Sequence, residues 1–292
     1  MDLFLDLWND ALIDTARLLP FLFLCYLMME FIEHRASERS VNAISNTRSL
    51  GPLVGALLGA FPQCGFSAAA ATLYAGRVVT IGTLIAVFLA TSDEMLPIFI
   101  AEQVDPVVIL KILGAKVAIG MVMGFLIDAA IHFAHRDSQD FLHIHELCED
   151  EGCECDDEKH HHGIFLSSLK HTLQVALFIF FITFAIDLVI ALVGEETFAA
   201  FIAANEGLSI VASAIVGLIP NCAASVVITE LYLEGTLGAG AMMSGLLVSA
   251  GIGLLVLVRT NHHWRENIQI LLVMVLIGII WGTIIQLAGI TF

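Results

Sequence analysis

The chain has 292 residues, 58% of them hydrophobic and only 14% charged, with a mean hydropathy of +0.90. A soluble domain carries about 25% charged residues, so the composition excludes a soluble globular protein and predicts a polytopic membrane protein. The net charge of -17 is concentrated, because ten acids and two bases lie between Arg136 and His162; it says little about partners, and nothing is basic enough for nucleic acid.

The N-terminal MDLFLDLWND is acidic and lacks the basic stretch that opens a cleaved signal peptide. Apolar segments then follow at roughly 11–32, 50–76, 79–100, 107–132, 166–193, 208–233, 237–258 and 268–290, where a crossing needs about 20 residues. The first four match the last four at a nearly constant offset. Thr15, Phe21, Phe23 and Glu30 correspond to Thr172, Phe178, Phe180 and Asp187, 157 residues on. Gly59, Pro62, Cys64, Ser67, Leu73 and Tyr74 correspond to Gly217, Pro220, Cys222, Ser225, Leu231 and Tyr232, 158 on, as do Gly120 and Gly124 to Gly278 and Gly282. The chain reads as an internal duplication, with halves 1–134 and 164–292 joined by a loop at 135–163.

Charge placement chooses between two topologies. If all eight segments cross, Arg77, Arg136 and Lys159 fall opposite Arg35, Arg39, Arg48, Arg259 and Arg265, and the positive-inside bias nearly vanishes. If 50–76 and 208–233 instead enter and leave on one side, all eight of these cations become cytoplasmic. The acidic N-terminus and the acidic segments 101–106, 195–206 and 232–235 become external. Each arm of such a hairpin has about 12 residues, or about 18 Å of helix, enough to reach mid-membrane. Pro62 and Pro220 end the first arms, since proline lacks the amide and disfavours helix before it. The predicted fold is therefore all-α, with two inverted repeats of three transmembrane helices and one re-entrant hairpin each, ten helices in all. Both termini lie outside. Interrupted helices in inverted repeats are a transporter architecture, with cargo bound where the breaks meet.

The hairpin tips carry Pro62-Gln63-Cys64 and Pro220-Asn221-Cys222, followed by Ser67 and Ser225. Thiols, amide carbonyls and hydroxyls are all candidate ligands, although a buried cysteine can also be a small packing residue. The third span carries Ser92, Asp93 and Glu94, and acids within a span are expensive enough to suggest an ion site or proton relay. Lys116 or Lys111 is their candidate ion-pair partner. Glu230, Glu30 and Asp187 are secondary candidates, the last two near span ends. Asp14 and Arg17 are spaced to pair locally. The paired GxxxG motifs at Gly120/Gly124 and Gly278/Gly282 read as close helix packing.

The joining loop contains His143, His145, Cys148, Cys153, Cys155, His160, His161 and His162 among carboxylates. Imidazole and thiolate suit zinc, copper, nickel or cobalt, and carboxylates extend the range to manganese. The spacing is not that of a zinc finger, so the loop reads as a disordered metal collector or sensor, or as a solvated acidic linker. Its three cysteines cannot all pair, which fits thiols in a reducing, cytoplasmic compartment.

The motifs PQCGFSA, TSDEMLP and GLIPNCAAS resemble those of the bacterial ten-helix heavy-metal exporters, also labelled arsenic efflux permeases or manganese transporters. The resemblance covers the membrane part and implies an efflux permease of the bacterial inner membrane. It places the family's motif residues on Pro62, Gln63, Cys64, Ser92, Asp93, Glu94, Pro220, Asn221 and Cys222. The sequence contains no GxxxxGK[ST] phosphate loop, HExxH or GxSxG. The expected function is thus secondary-active export of a transition- or heavy-metal cation, without a cofactor or catalytic residues, and proton exchange is plausible. An oxyacid or oxyanion cargo, such as arsenite, arsenate or phosphate, is the alternative, because each second arm offers free amides at its N-terminus. A membrane metal sensor that transports nothing is the reading of another class. The expected partners are lipid and a small inorganic ion, and a homodimer is allowed.

Overall fold

A chain this apolar must satisfy its backbone hydrogen bonds internally wherever it meets lipid, and helix is the local solution throughout. The structure, a computed structural model, describes residues 8–9, 11–13, 15–16, 19–20, 23–24, 27, 50–92, 95–134, 163–193 and 208–292. The described part of 8–27 is helical. The first half continues with α1 (Gly51–Gly59), α2 (Cys64–Ala75), α3 (Ile81–Ala90), α4 (Met95–Ala101) and α5 (Pro106–Ala134). After α6 (Gly163–Val193) come α7 (Ser209–Gly217), α8 (Cys222–Leu233), α9 (Ala239–Val248), α10 (Gly253–Thr260) and α11 (Trp264–Leu287).

Four segments among the described residues are long and apolar enough to cross a bilayer: 81–101, 106–133, 239–260 and 264–287. The protein is a multi-pass membrane protein. On α11, Ile268, Leu272, Leu276, Ile280 and Ile284 are exposed at four-residue intervals, which gives one apolar stripe for lipid, while Ile270, Met274, Ile277 and Ile285 turn inward. Two of the crossing segments are broken at their middles. The first pauses between α3 and α4, and the second between α9 and α10, 158 residues later.

Packing recurs at the same offset. Helix α3 packs on α1 and α5, and α9 packs on α7 and α11. A Cβ at Gly124 would come 2.6 Å from the Gly82 carbonyl oxygen, and one at Gly282 would come 2.6 Å from that of Gly240. Only hydrogen fits where these helices cross, which is the physical reason for both GxxxG motifs. Between the halves the contacts are exchanged. Helix α2 packs along α10, α8 packs on α4, and α3 meets α9.

Candidate functional site

The two breaks meet. In the first half, α3 ends at Thr91, whose hydroxyl donates to the Val87 carbonyl at 2.8 Å, and Ser92 donates to Ala90 O at 3.0 Å. In the second half, α9 ends at Ser249, and Gly251 takes a left-handed conformation (φ +54) that glycine adopts without strain. A small cavity lies between them. Thr91, Ser92, Met95 and Lys116 line it from one half, and Ser225, Leu246, Ser249 and Gly251 from the other.

Lys116, from the middle of α5, is fully buried. Its ammonium donates to the carbonyls of Thr91 and Leu246, the latter at 2.9 Å. These carbonyls lie at the C-terminal ends of α3 and α9, where the helix dipole leaves partial negative charge. Lys116 therefore bridges the two halves at the centre of the molecule, with its charge set against both helix ends. A buried cation needs such partners, because removal from water without them costs several kcal/mol.

The residues related to the cavity lining by the offset pack differently. At the offset of 158, Lys116 corresponds to Met274, Leu246 to Phe88, and Ser225 to Ser67. Phe88 and Ser67 lie against Gly253, where an added Cβ would come within 2.9 Å of the Phe88 ring and 2.7 Å of Ser67 Cβ.

Of the residues singled out from sequence, Ser92, Ser225 and Lys116 come together in the cavity. Ser67 is buried against Gly253 instead. The two tips differ. Asn221 is buried and caps α8, its Oδ1 accepting from the Ala223 amide at 2.9 Å. Gln63 is exposed and its side chain makes no cap, and Pro62 is exposed beside it, whereas Pro220 is half-buried. Asparagine is short enough to reach its own helix terminus, and glutamine is one methylene longer. Asn221→Ala should therefore lower stability by about 1 kcal/mol, whereas Gln63→Ala should leave the melting temperature unchanged. Thermal unfolding in detergent checks both.

Cys64 and Cys222 are the first residues of α2 and α8, but their side chains lie outside the described residues, as does that of Asp187 within α6. Glu230 is exposed on α8. Glu30, Asp93 and Glu94 lie outside the described residues, and so do the loop residues His143, His145, Cys148, Cys153, Cys155, His160, His161 and His162. Among the described residues no cluster of three His, Cys, Asp or Glu side chains could hold a metal. Sequence reasoning missed Thr91, Ser249, Gly251 and the Leu246 carbonyl. The repeat offset leads to Ser249, which stands where the first half has Thr91, but only as a counterpart without an acid.

Helices that break at mid-span around a buried polar cavity, in a chain that crosses the membrane several times, define a membrane transporter. The chain belongs to the family described as "Putative, 10TM heavy-metal exporter", which it matches over residues 1–164. No curated protein and no solved structure matches it.

Proposed function

We propose that the chain is a secondary-active exporter of a transition- or heavy-metal cation in the bacterial inner membrane, with the cargo held in the cavity between the two breaks. The observation that carries this is the donor set. Thr91 and Ser92 have committed their hydroxyl hydrogens to backbone carbonyls, so what they offer a ligand is lone pairs. The ends of two half-helices add partial negative charge.

Alternating access between inverted repeats fits the contacts. Arg77, just before α3, meets Glu266, in the first turn of the helix that follows α10, while the middles of the two broken segments share the cavity. A start beside an end, with middles together, is how antiparallel segments cross. The helix pairs α1–α2 and α7–α8, with nine- and twelve-residue arms, are too short to span singly and suit re-entrant hairpins. On this reading 1–134 and 164–292 are the repeats, and 135–163 is a cytoplasmic loop that gathers metal.

The Lys116 ammonium favours a second reading, an oxyacid or oxyanion cargo for which it would be the counter-charge. Flux into proteoliposomes with divalent metals, arsenite, arsenate and phosphate separates the two. The first reading expects a metal to move, with Ser92→Ala and Ser225→Ala each lowering flux about tenfold, the loss of one ligand to a charged group. Movement of an oxyacid alone would discard it.

A further inference from the structure

The two ends of the molecule are joined differently. Where α2 leaves toward α3, Arg77 holds a left-handed conformation (φ 57) and forks onto Glu266, with Nη1 to Oε1 and Nη2 to Oε2 both at 2.9 Å. Nη1 also donates to the Tyr74 hydroxyl at 3.3 Å. Asn261, at the α10–α11 junction, donates to Glu266 Oε2 at 3.0 Å and to Asn267 Oδ1 at 2.8 Å, and Asn267 returns a bond to Asn261 O at 2.8 Å. Burial alone would lower the pKa of the Arg77 guanidinium, but the bonds and charge of Glu266 outweigh it and raise it. The cluster ties the first half to the second, and a bidentate pair among several partners is the geometry in which an ion pair is strong.

At the opposite junction the same turn has lost this chemistry. The twins of Tyr74, Arg77, Asn261, Glu266 and Asn267 are Tyr232, Gly235, Gln103, Val108 and Ile109. Gly235 keeps the left-handed backbone (φ 74) without a guanidinium, and Val108 and Ile109 offer no polar side chain. Tyr232 bonds the Phe292 carbonyl instead, at 3.2 Å. A duplication that keeps the turn but keeps the Arg–Glu pair at one end only has given the two ends different tasks.

We propose that Arg77 and Glu266 are gate residues, a latch that closes the cavity on the side of Arg77, Arg259 and Arg265 and parts once in each transport cycle, with no equivalent ion pair between the twin residues on the opposite side. This rests on the alternating-access reading above. Arg77 and Glu266 act as positioning residues, since neither lines the cavity.

Hydrogen–deuterium exchange on the full chain in nanodiscs, without cargo, tests this. Glu266→Gln should speed exchange about tenfold at the junctions 74–80 and 261–267 and also at the cavity segments 91–92 and 246–251, leaving 102–108 unchanged. The exchanged pair Arg77→Glu with Glu266→Arg should restore protection. Faster exchange confined to the two junctions, with the cavity segments unmoved, would make the cluster a local brace and overturn the gate. If Glu266→Gln fails to fold, Arg77→Lys, which keeps the charge but loses the fork, should give a smaller change in the same segments, and no change there would equally overturn it. Uptake of Mn²⁺ by the wild type is read separately. Its absence would count against the cargo assignment, while the exchange pattern would still decide the gate.

Discussion

Lys116→Met is expected to lower cargo flux by about 100-fold per folded molecule, the largest effect of any single substitution at the site. The twin position already holds a fully buried methionine, Met274, so the shape is one this fold accepts. What disappears is the charge and the bonds to Thr91 O and Leu246 O. A hydrogen bond to a charged group is worth about 1.5–3 kcal/mol, and two of them account for the loss. The direction of the accompanying change in half-saturation separates the cargo readings. With the resident cation gone, the two helix ends hold a metal cation more tightly, so half-saturation and turnover fall together. An oxyanion loses its counter-charge, so its half-saturation rises. Flux across a concentration series, normalised to monodisperse protein, reads both, and unaltered flux would remove Lys116 from the mechanism.

Gly82→Val and Gly240→Val should each destabilise the protein by about 3 kcal/mol, or roughly 6–12 °C in melting temperature for a chain of this size. At both positions an added Cβ falls on a backbone carbonyl of the facing helix, that of Gly124 or of Gly282. Backbone cannot rotate away as a side chain can, so the helices must separate and the adjoining broken span must move with them. Gly114, on the same helix as Gly124, has nothing within 4 Å of its Cβ position, and Gly114→Ala should leave the melting temperature unchanged or slightly raised. A loss at Gly114 as large as at Gly82 would mean that these glycines serve helix flexibility rather than close approach.

Much of this architecture can be read from residues whose backbone constraints are local. Pro62 and Pro220 mark where α1 and α7 give way to α2 and α8, because proline acts on its own turn. Gly120/Gly124 and Gly278/Gly282 announce close crossings, because only glycine leaves the carbonyl accessible. Ser92, Ser225 and Lys116 stand out as polar residues in apolar runs, and the cavity gathers them. The remaining half of the site has no such signature. The carbonyl of Leu246 is invisible in a sequence, since every residue has one and only a helix end frees it. Ser249 and Gly251 look ordinary when the second half is searched for acids alone. The amides of Gln63 and Asn221 look equivalent at matched positions, but reach depends on one methylene, and only Asn221 caps its helix. Phe88 reads as core, and its place beside Ser67 against Gly253 of the other half emerges only in three dimensions.

The breaks fall near the middles of segments 81–101 and 239–260, so on a spanning topology the Lys116 ammonium lies about halfway along the membrane normal. The transmembrane voltage drops mainly across this low-dielectric layer. A charge that enters the cavity from either face has then passed through about half of that drop, worth about 1.2 kcal/mol per elementary charge at 100 mV. Occupancy of the cavity by an ion is thereby weighted by the cell's electrical potential as well as by concentration. A divalent cation feels that weighting twice as strongly as a monovalent one.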